Sequence, residues 1–226
     1  MQPVKIFFFG DSISFGQGIS LHKGWVPRIS ARLDDLALKG GREILVINAS
    51  GSGNTTRQAL ERMPYEVQSH HPDLVIVQFG MNDCNHWETD RGNPRVSPKA
   101  FAANLEEIVA RACTFGAQRV LLSTNHPTAR DEQPMPHTTI TYQQSNERYN
   151  EIIRRVATDL GPAVIVSDME QVFRAAAPTR TDLLALLLPD KLHLSEAGHD
   201  LYFTAIYPRL HEVVVALLDN PSRSFA

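Results

Sequence analysis

The chain has 226 residues, 42% of them hydrophobic and 21% charged, and a formal charge of −3 at neutral pH. That length suits one compact domain, and the small negative charge leaves no electrostatic footprint for nucleic acid or acidic lipid. Cys84 and Cys113 form no CxxC spacing, so free thiols are expected.

Residues 4–9 are almost wholly apolar, too few for a helix, and read as a strand buried on both faces. The run is closed by Gly10 and Asp11, whereas a secretory signal needs roughly 7–15 apolar residues behind a basic start. A cytoplasmic protein is therefore expected. Residues 25–38 follow with helical period, placing Trp25, Ile29, Leu33 and Leu36 on one side. Strand runs at 44–48, 74–79, 120–123 and 164–167 alternate with helical segments at 56–70, 98–115, 142–160 and 196–218. No segment approaches the ~20 apolar residues of a membrane span. Residues 1–219 read as one domain and 220–226 as a frayed tail.

Five strands alternating with helices predict an α/β chain: a mostly parallel five-stranded sheet covered on both faces, a three-layer α/β/α sandwich. Ligands of such sheets bind beyond the carboxyl ends of the strands. The informative residues should therefore follow the strands. The irregular stretches 81–97 and 124–139 are expected to rim the site, with His86, Trp87, His126 and Met135 as candidate pocket residues.

After the first strand comes Gly10-Asp11-Ser12-Ile13-Ser14. A serine on a strand-to-helix turn can project its hydroxyl above the sheet edge, with the following amides facing a substrate. The same turn also suits a simple capped loop, with Asp11 and Ser12 as caps. After the second strand, the stretch from Asn48 to Thr55 contains Gly51 and Gly53, which let the backbone approach a ligand or merely turn. After the third strand, Asn82 in Gly80-Met81-Asn82-Asp83 matters if its amide points at the same spot. Near the C-terminus, Asp190 and His193 stand three apart on one loop. The carboxylate can fix the imidazole tautomer and leave Nε2 to take a proton from a serine. Each signal alone is weak. Together they supply a nucleophile, a base, an orienting acid and oxyanion donors, all on loops that follow strands.

These segments resemble the sequence blocks of the SGNH hydrolases, also called the GDSL esterase/lipase family. Block one is Gly10 to Ser14, block two Ser52-Gly53-Asn54-Thr55, block three Gly80 to Asp83, and block five Asp190 to His193. Ile13-Ser14 stands where the older family name expects leucine. The resemblance implies a flavodoxin-like fold and a catalytic triad of Ser12, His193 and Asp190. It further implies an oxyanion hole of Ser12, Gly53 and Asn82, with no metal and no cofactor. Gly53 is favoured over Gly51 because it directly precedes Asn54-Thr55. The implied substrate is a small carboxylic ester, short-acyl (acetyl) esters first, with lysophospholipase or acyl thioesterase activity as the alternative. A non-catalytic carbohydrate-binding relative is a third reading. Oligomeric state is not legible. Ser20-Leu-His-Lys23 fits S-x-x-K without its companion motifs, and His70-His71 has no metal-ligand spacing.

Overall fold

Strand β1 (Val4–Gly10) carries three consecutive phenylalanines, Phe7, Phe8 and Phe9, all fully buried because helices cover both faces of the sheet. The computed structural model describes residues 2–219, so the expected tail at 220–226 lies outside the described residues. The other strands are β2 (Ile44–Asn48), β3 (Leu74–Gln78), β4 (Arg119–Ser123) and β5 (Val164–Ser167). All pairs are parallel, in the order β2-β1-β3-β4-β5, which meets the expected fold class.

One turn of helix, α1 (Ser12–Phe15), follows β1 directly, and α2 (Trp25–Gly40) leads to β2. Helices α3 (Thr56–Glu66), α4 (Pro98–Thr114) and α5 (Tyr142–Asp159) precede β3, β4 and β5; α6 (Met169–Ala176), α7 (Arg180–Ala185) and α8 (Glu196–Asp219) follow. The alternation of side chains along β1 sorts the layers. Phe8 meets Trp25 of α2 edge-on at 5.3 Å, and Trp25 stacks on Tyr202 of α8 at 4.3 Å. Phe9 points the other way, under the Arg62 guanidinium of α3 at 4.6 Å and edge-on to Phe79. Each such ring removed from water contributes about 1.5–3 kcal/mol.

Three departures from the sequence reading have local causes. The helix expected over 56–70 stops at Glu66, and a 3-10 turn (Gln68–His70) follows. His71, at φ 52, precedes Pro72, whose ring disfavours helical backbone in the residue before it. Helices α6 and α7 were not anticipated: Asp168 caps the first through Gln171 N–H, and a Thr179–Asp182 capping box starts the second. Helix α8 is long and apolar enough to cross a membrane by length and composition, although no span was expected. In the fold its Tyr202, Ile206, Leu210 and Val214 are buried in the core.

Gly198 fixes where α8 starts. A Cβ there would stand 2.2 Å from the carbonyl oxygen of Leu186, which already accepts the Ser195 N–H at 2.9 Å. Gly198→Ala must therefore push α8 off the segment that leads into the Asp190–His193 loop. The expected cost of about 1–3 kcal/mol corresponds to a fall of roughly 2–12 °C in thermal midpoint for a chain of this size. A calorimetric midpoint equal to that of the parent would show that this contact constrains nothing.

Candidate active site

The register of the sheet brings three loops together. Gly10 at the end of β1 lies opposite Gln78 of β3, and Phe8 lies opposite Asn48 of β2. Strand order reverses at β1, and open α/β sheets leave a crevice for ligands at such a point. Ser12 stands at its floor as the first residue of α1, 5% exposed. Asp11 caps that turn by accepting the Ile13 N–H at 3.0 Å, and Trp25 Nε1–H donates to the Ile13 carbonyl at 3.0 Å.

From the C-terminal side, His193 Nε2 lies 2.9 Å from Ser12 Oγ, and its Nδ1 lies 2.5 Å from Asp190 Oδ2. With Nδ1–H held by the carboxylate, Nε2 is left as an acceptor for the serine hydroxyl. The other carboxylate oxygen, Oδ1, accepts the N–H groups of Leu192 and His193, each at 3.0 Å. Burial opposes the Asp190 charge, but the His193 side chain and these backbone donors outweigh it and hold the carboxyl below its ordinary range.

This loop is braced by the stretch after β4. His126 Nε2 bonds the Leu192 carbonyl at 2.8 Å, Ala129 N–H the Lys191 carbonyl at 3.0 Å, and Arg130 Nε–H the Asp190 carbonyl at 2.9 Å. His126 and Met135 are buried, so these two expected rim residues belong to the scaffold. His86 is also buried, whereas Trp87 is 48% exposed. Ser20 and Lys23 lie apart from the site: Lys23 pairs with Glu196 at 2.6 Å. His199 is buried behind it, its Nδ1 accepting the Trp25 N–H at 3.3 Å.

The two glycines of the second loop differ. Gly51 N–H is already used by the Gly10 carbonyl at 2.9 Å. Gly53 sits at φ 77 in open space, and among the described residues its N–H has no acceptor. Asn82 Nδ2–H donates to Asp11 Oδ2 at 3.4 Å, which leaves its second amide hydrogen unspent.

The sequence profile of the GDSL-like Lipase/Acylhydrolase family matches residues 8–201, nearly all of the domain. The chain belongs to this family. It is 35% identical over 123 residues to an arylesterase of Vibrio mimicus, covering 54% of this chain and 56% of that one. The chain thus aligns with about half the length of that relative. An acetylxylan esterase of Geobacillus stearothermophilus is 25% identical over 212 residues, covering 86% of this chain and 88% of the relative. In structure, the lipase/acylhydrolase of Enterococcus faecalis superposes with a TM-score of 0.70 at 26% identity, over 92% of this chain and 96% of that one.

Beneath the GDSL-like site lie two carboxyls that spacing did not reveal as partners. Asp11 and Asp83 are both fully buried. Burial pushes Asp11 up to about 7, with the Asp83 charge adding to it and the hydrogen bonds from Ile13, Gln78 and Asn82 opposing. Burial likewise pushes Asp83 up to about 6, against the Thr56 donors. Thr56 N–H and Oγ1–H reach Asp83 Oδ1 at 2.9 and 2.5 Å, while Oδ2 has no partner among the described residues.

The sign of the effect follows. Unfolded carboxyls titrate near pH 4, so between about 4 and 7 the folded state holds more protons than the unfolded one. The Asp83 contribution is then fully present below about pH 4 and lost as pH rises through about 6. Asp83→Asn keeps the oxygen that Thr56 needs and removes the titration. Its thermal midpoint should gain on the parent by roughly 2–8 °C as pH goes from 4 to 7, the shift expected for about 1–2 kcal/mol. A difference between the two proteins that stays constant across that range would refute the shared burial of charge.

Proposed function

We propose that the chain is a serine carboxylic ester hydrolase acting on short-acyl esters, with Ser12 as nucleophile, His193 as general base and Asp190 as the orienting acid. One observation carries this reading: Ser12 Oγ, the His193 ring and the Asp190 carboxylate form a continuous hydrogen-bonded chain, at 2.9 and 2.5 Å. Membership in an acylhydrolase family supports it.

In this mechanism Ser12 Oγ attacks the ester carbonyl carbon as its proton passes to His193 Nε2. Asp190 stabilises the imidazolium without taking its proton. The Ser12 and Gly53 N–H groups and the Asn82 amide form the oxyanion hole for the tetrahedral intermediate. His193 protonates the departing alkoxide, leaving an acyl-enzyme on Ser12. Water then attacks the acyl carbon, again through His193, and releases the acid. No metal or cofactor is needed for these steps.

Acetyl-type esters are the proposed substrates. The acetylxylan esterase aligns over most of both chains, and the rim stretch 88–95 is polar and proline-containing. A longer acyl chain is the second reading, favoured by Phe15, which follows Ser12 in α1 and is 52% exposed.

Ser12→Ala is expected to lower turnover of p-nitrophenyl acetate by roughly 10⁴–10⁶-fold while its thermal midpoint stays close to the parent's. A fluorophosphonate should label the parent once per chain and the variant not at all. Parent-like activity in Ser12→Ala overturns the mechanism; an inert, unlabelled parent points to a non-catalytic binder. In a series of p-nitrophenyl esters, kcat/KM should peak at about two to four acyl carbons. A steady climb to ten carbons, at up to ~0.8 kcal/mol for each buried CH₂, would replace the acetyl-type reading with lysophospholipase or thioesterase activity.

A further inference from the structure

We propose that Arg95 is a positioning residue of this reaction: it holds the Gly53 turn so that the Gly53 N–H faces the oxyanion. The inference rests on the oxyanion hole proposed above and extends it to a residue with no part in the family's sequence blocks.

Gly51, Ser52, Gly53 and Asn54 form one turn, closed by the Asn54 N–H on the Gly51 carbonyl at 3.2 Å. A φ of 77 at Gly53 is that of the third position of a type II turn. The Gly53 N–H belongs to the central peptide of such a turn, which the closing bond does not restrain. Packing does not restrain it either, since a Cβ built on Gly53 would meet nothing within 4 Å. Hydrogen bonds must therefore set its direction. Ser52 Oγ is tied to Gln17 Oε1 from the loop after α1. Arg95 Nη1–H donates to the Gly53 carbonyl at 3.2 Å from the loop after β3, so the peptide that follows the amide is gripped from the opposite side of the crevice.

Arg95 is itself built to stay in place. Its own N–H donates to the Asn85 carbonyl at 2.9 Å, and the neighbouring Val96 N–H donates to the Asp83 carbonyl at 3.1 Å. The Val96 carbonyl accepts the Tyr149 hydroxyl of α5. The guanidinium lies over the Trp87 ring at 4.1 Å, which limits the positions it can take. Burial disfavours its charge, and the charges of Asp83 and Asp90 counter that. A guanidinium with five donors in a fixed plane suits this bridging role better than an ammonium on a flexible stem. Arg95 touches no reacting atom in the proposed mechanism. Its effect is to keep one donor aligned with charge that develops only in the transition state.

The test uses Arg95→Ala and Arg95→Lys in the full chain, with Ser12→Ala alongside. In Arg95→Ala, kcat for p-nitrophenyl acetate should fall by roughly 10–100-fold, below the loss of a whole donor, with KM nearly unchanged. Affinity for a phenylboronic acid, which adds to Ser12 and places an oxygen in the hole, should fall in the same proportion as kcat/KM. Arg95→Lys should retain part of kcat, and guanidinium chloride at non-denaturing concentration should restore part of it to Arg95→Ala. The thermal midpoint should stay near the parent's. Parent-like kcat in Arg95→Ala, a change confined to KM, or a kcat loss with undiminished boronate affinity each overturns the proposal. An inactive Ser12→Ala beside a fully active Arg95→Ala defeats only the role of Arg95. An active Ser12→Ala defeats the esterase mechanism itself.

Discussion

The end of β1 is hydrogen-bonded on both sides, and the rest of the site depends on that. Asp11 N–H donates to the Gln78 carbonyl of β3, and the Gly10 carbonyl receives the Gly51 N–H from the loop after β2. A chain that left β1 free at either side would lose the crevice, because Ser12, Gly53 and Asn82 would sit on unrelated edges. Three fully buried phenylalanines in the preceding residues make the strand too costly to shift, since a slip of one residue would reverse every face. The polar floor of the site is thus held by a strand anchored by three buried phenylalanines.

That rigidity has an electrostatic counterpart. Asp11 caps α1 and also holds Asn82, so one carboxyl orients two of the four blocks. Its burial beside Asp83 makes the pair resist full ionisation. Two buried histidines act in the opposite sense: burial pushes both His126 and His199 down to about 4. As bases with depressed values they take up fewer protons than the unfolded chain between about pH 4 and 6.5, and favour folding as pH rises there. The carboxyls favour folding as pH falls over the same interval. The two sets offset one another, and the layer behind the site is buffered against pH although each member is individually strained by burial.

The strands were legible because parallel, doubly covered strands need short unbroken apolar runs, as at 74–78. The long helices were legible from their period, as with Trp25, Ile29, Leu33 and Leu36 on one side of α2. Helices α6 and α7 were not, being only 8 and 6 residues long, which gives too few turns for a period to show. For the site, the residues that follow strands could be found because topology dictates where ligands bind. What spacing cannot carry is contact between distant segments. Nothing in the sequence pairs Asp11 with Asp83, Arg95 with Gly53, or His126 with the Leu192 carbonyl. The proposed choice of Gly53 over Gly51, open on sequence, rests on one long-range detail: the Gly51 amide is spent on Gly10.

Ser12 and His193 are 181 residues apart in the chain, yet one hydrogen bond joins them. Parallel sheets close long loops before they gain contacts, so folding of this topology is intrinsically slow. During synthesis at about 5–20 residues per second, the 181 residues that separate Ser12 from His193 take on the order of ten seconds or more to make. Over that interval Ser12 lacks the imidazole that the fold sets against its hydroxyl. In the proposed mechanism activity requires the docked Asp190–His193 loop, so recovered activity after denaturation reports that docking and not an earlier collapse.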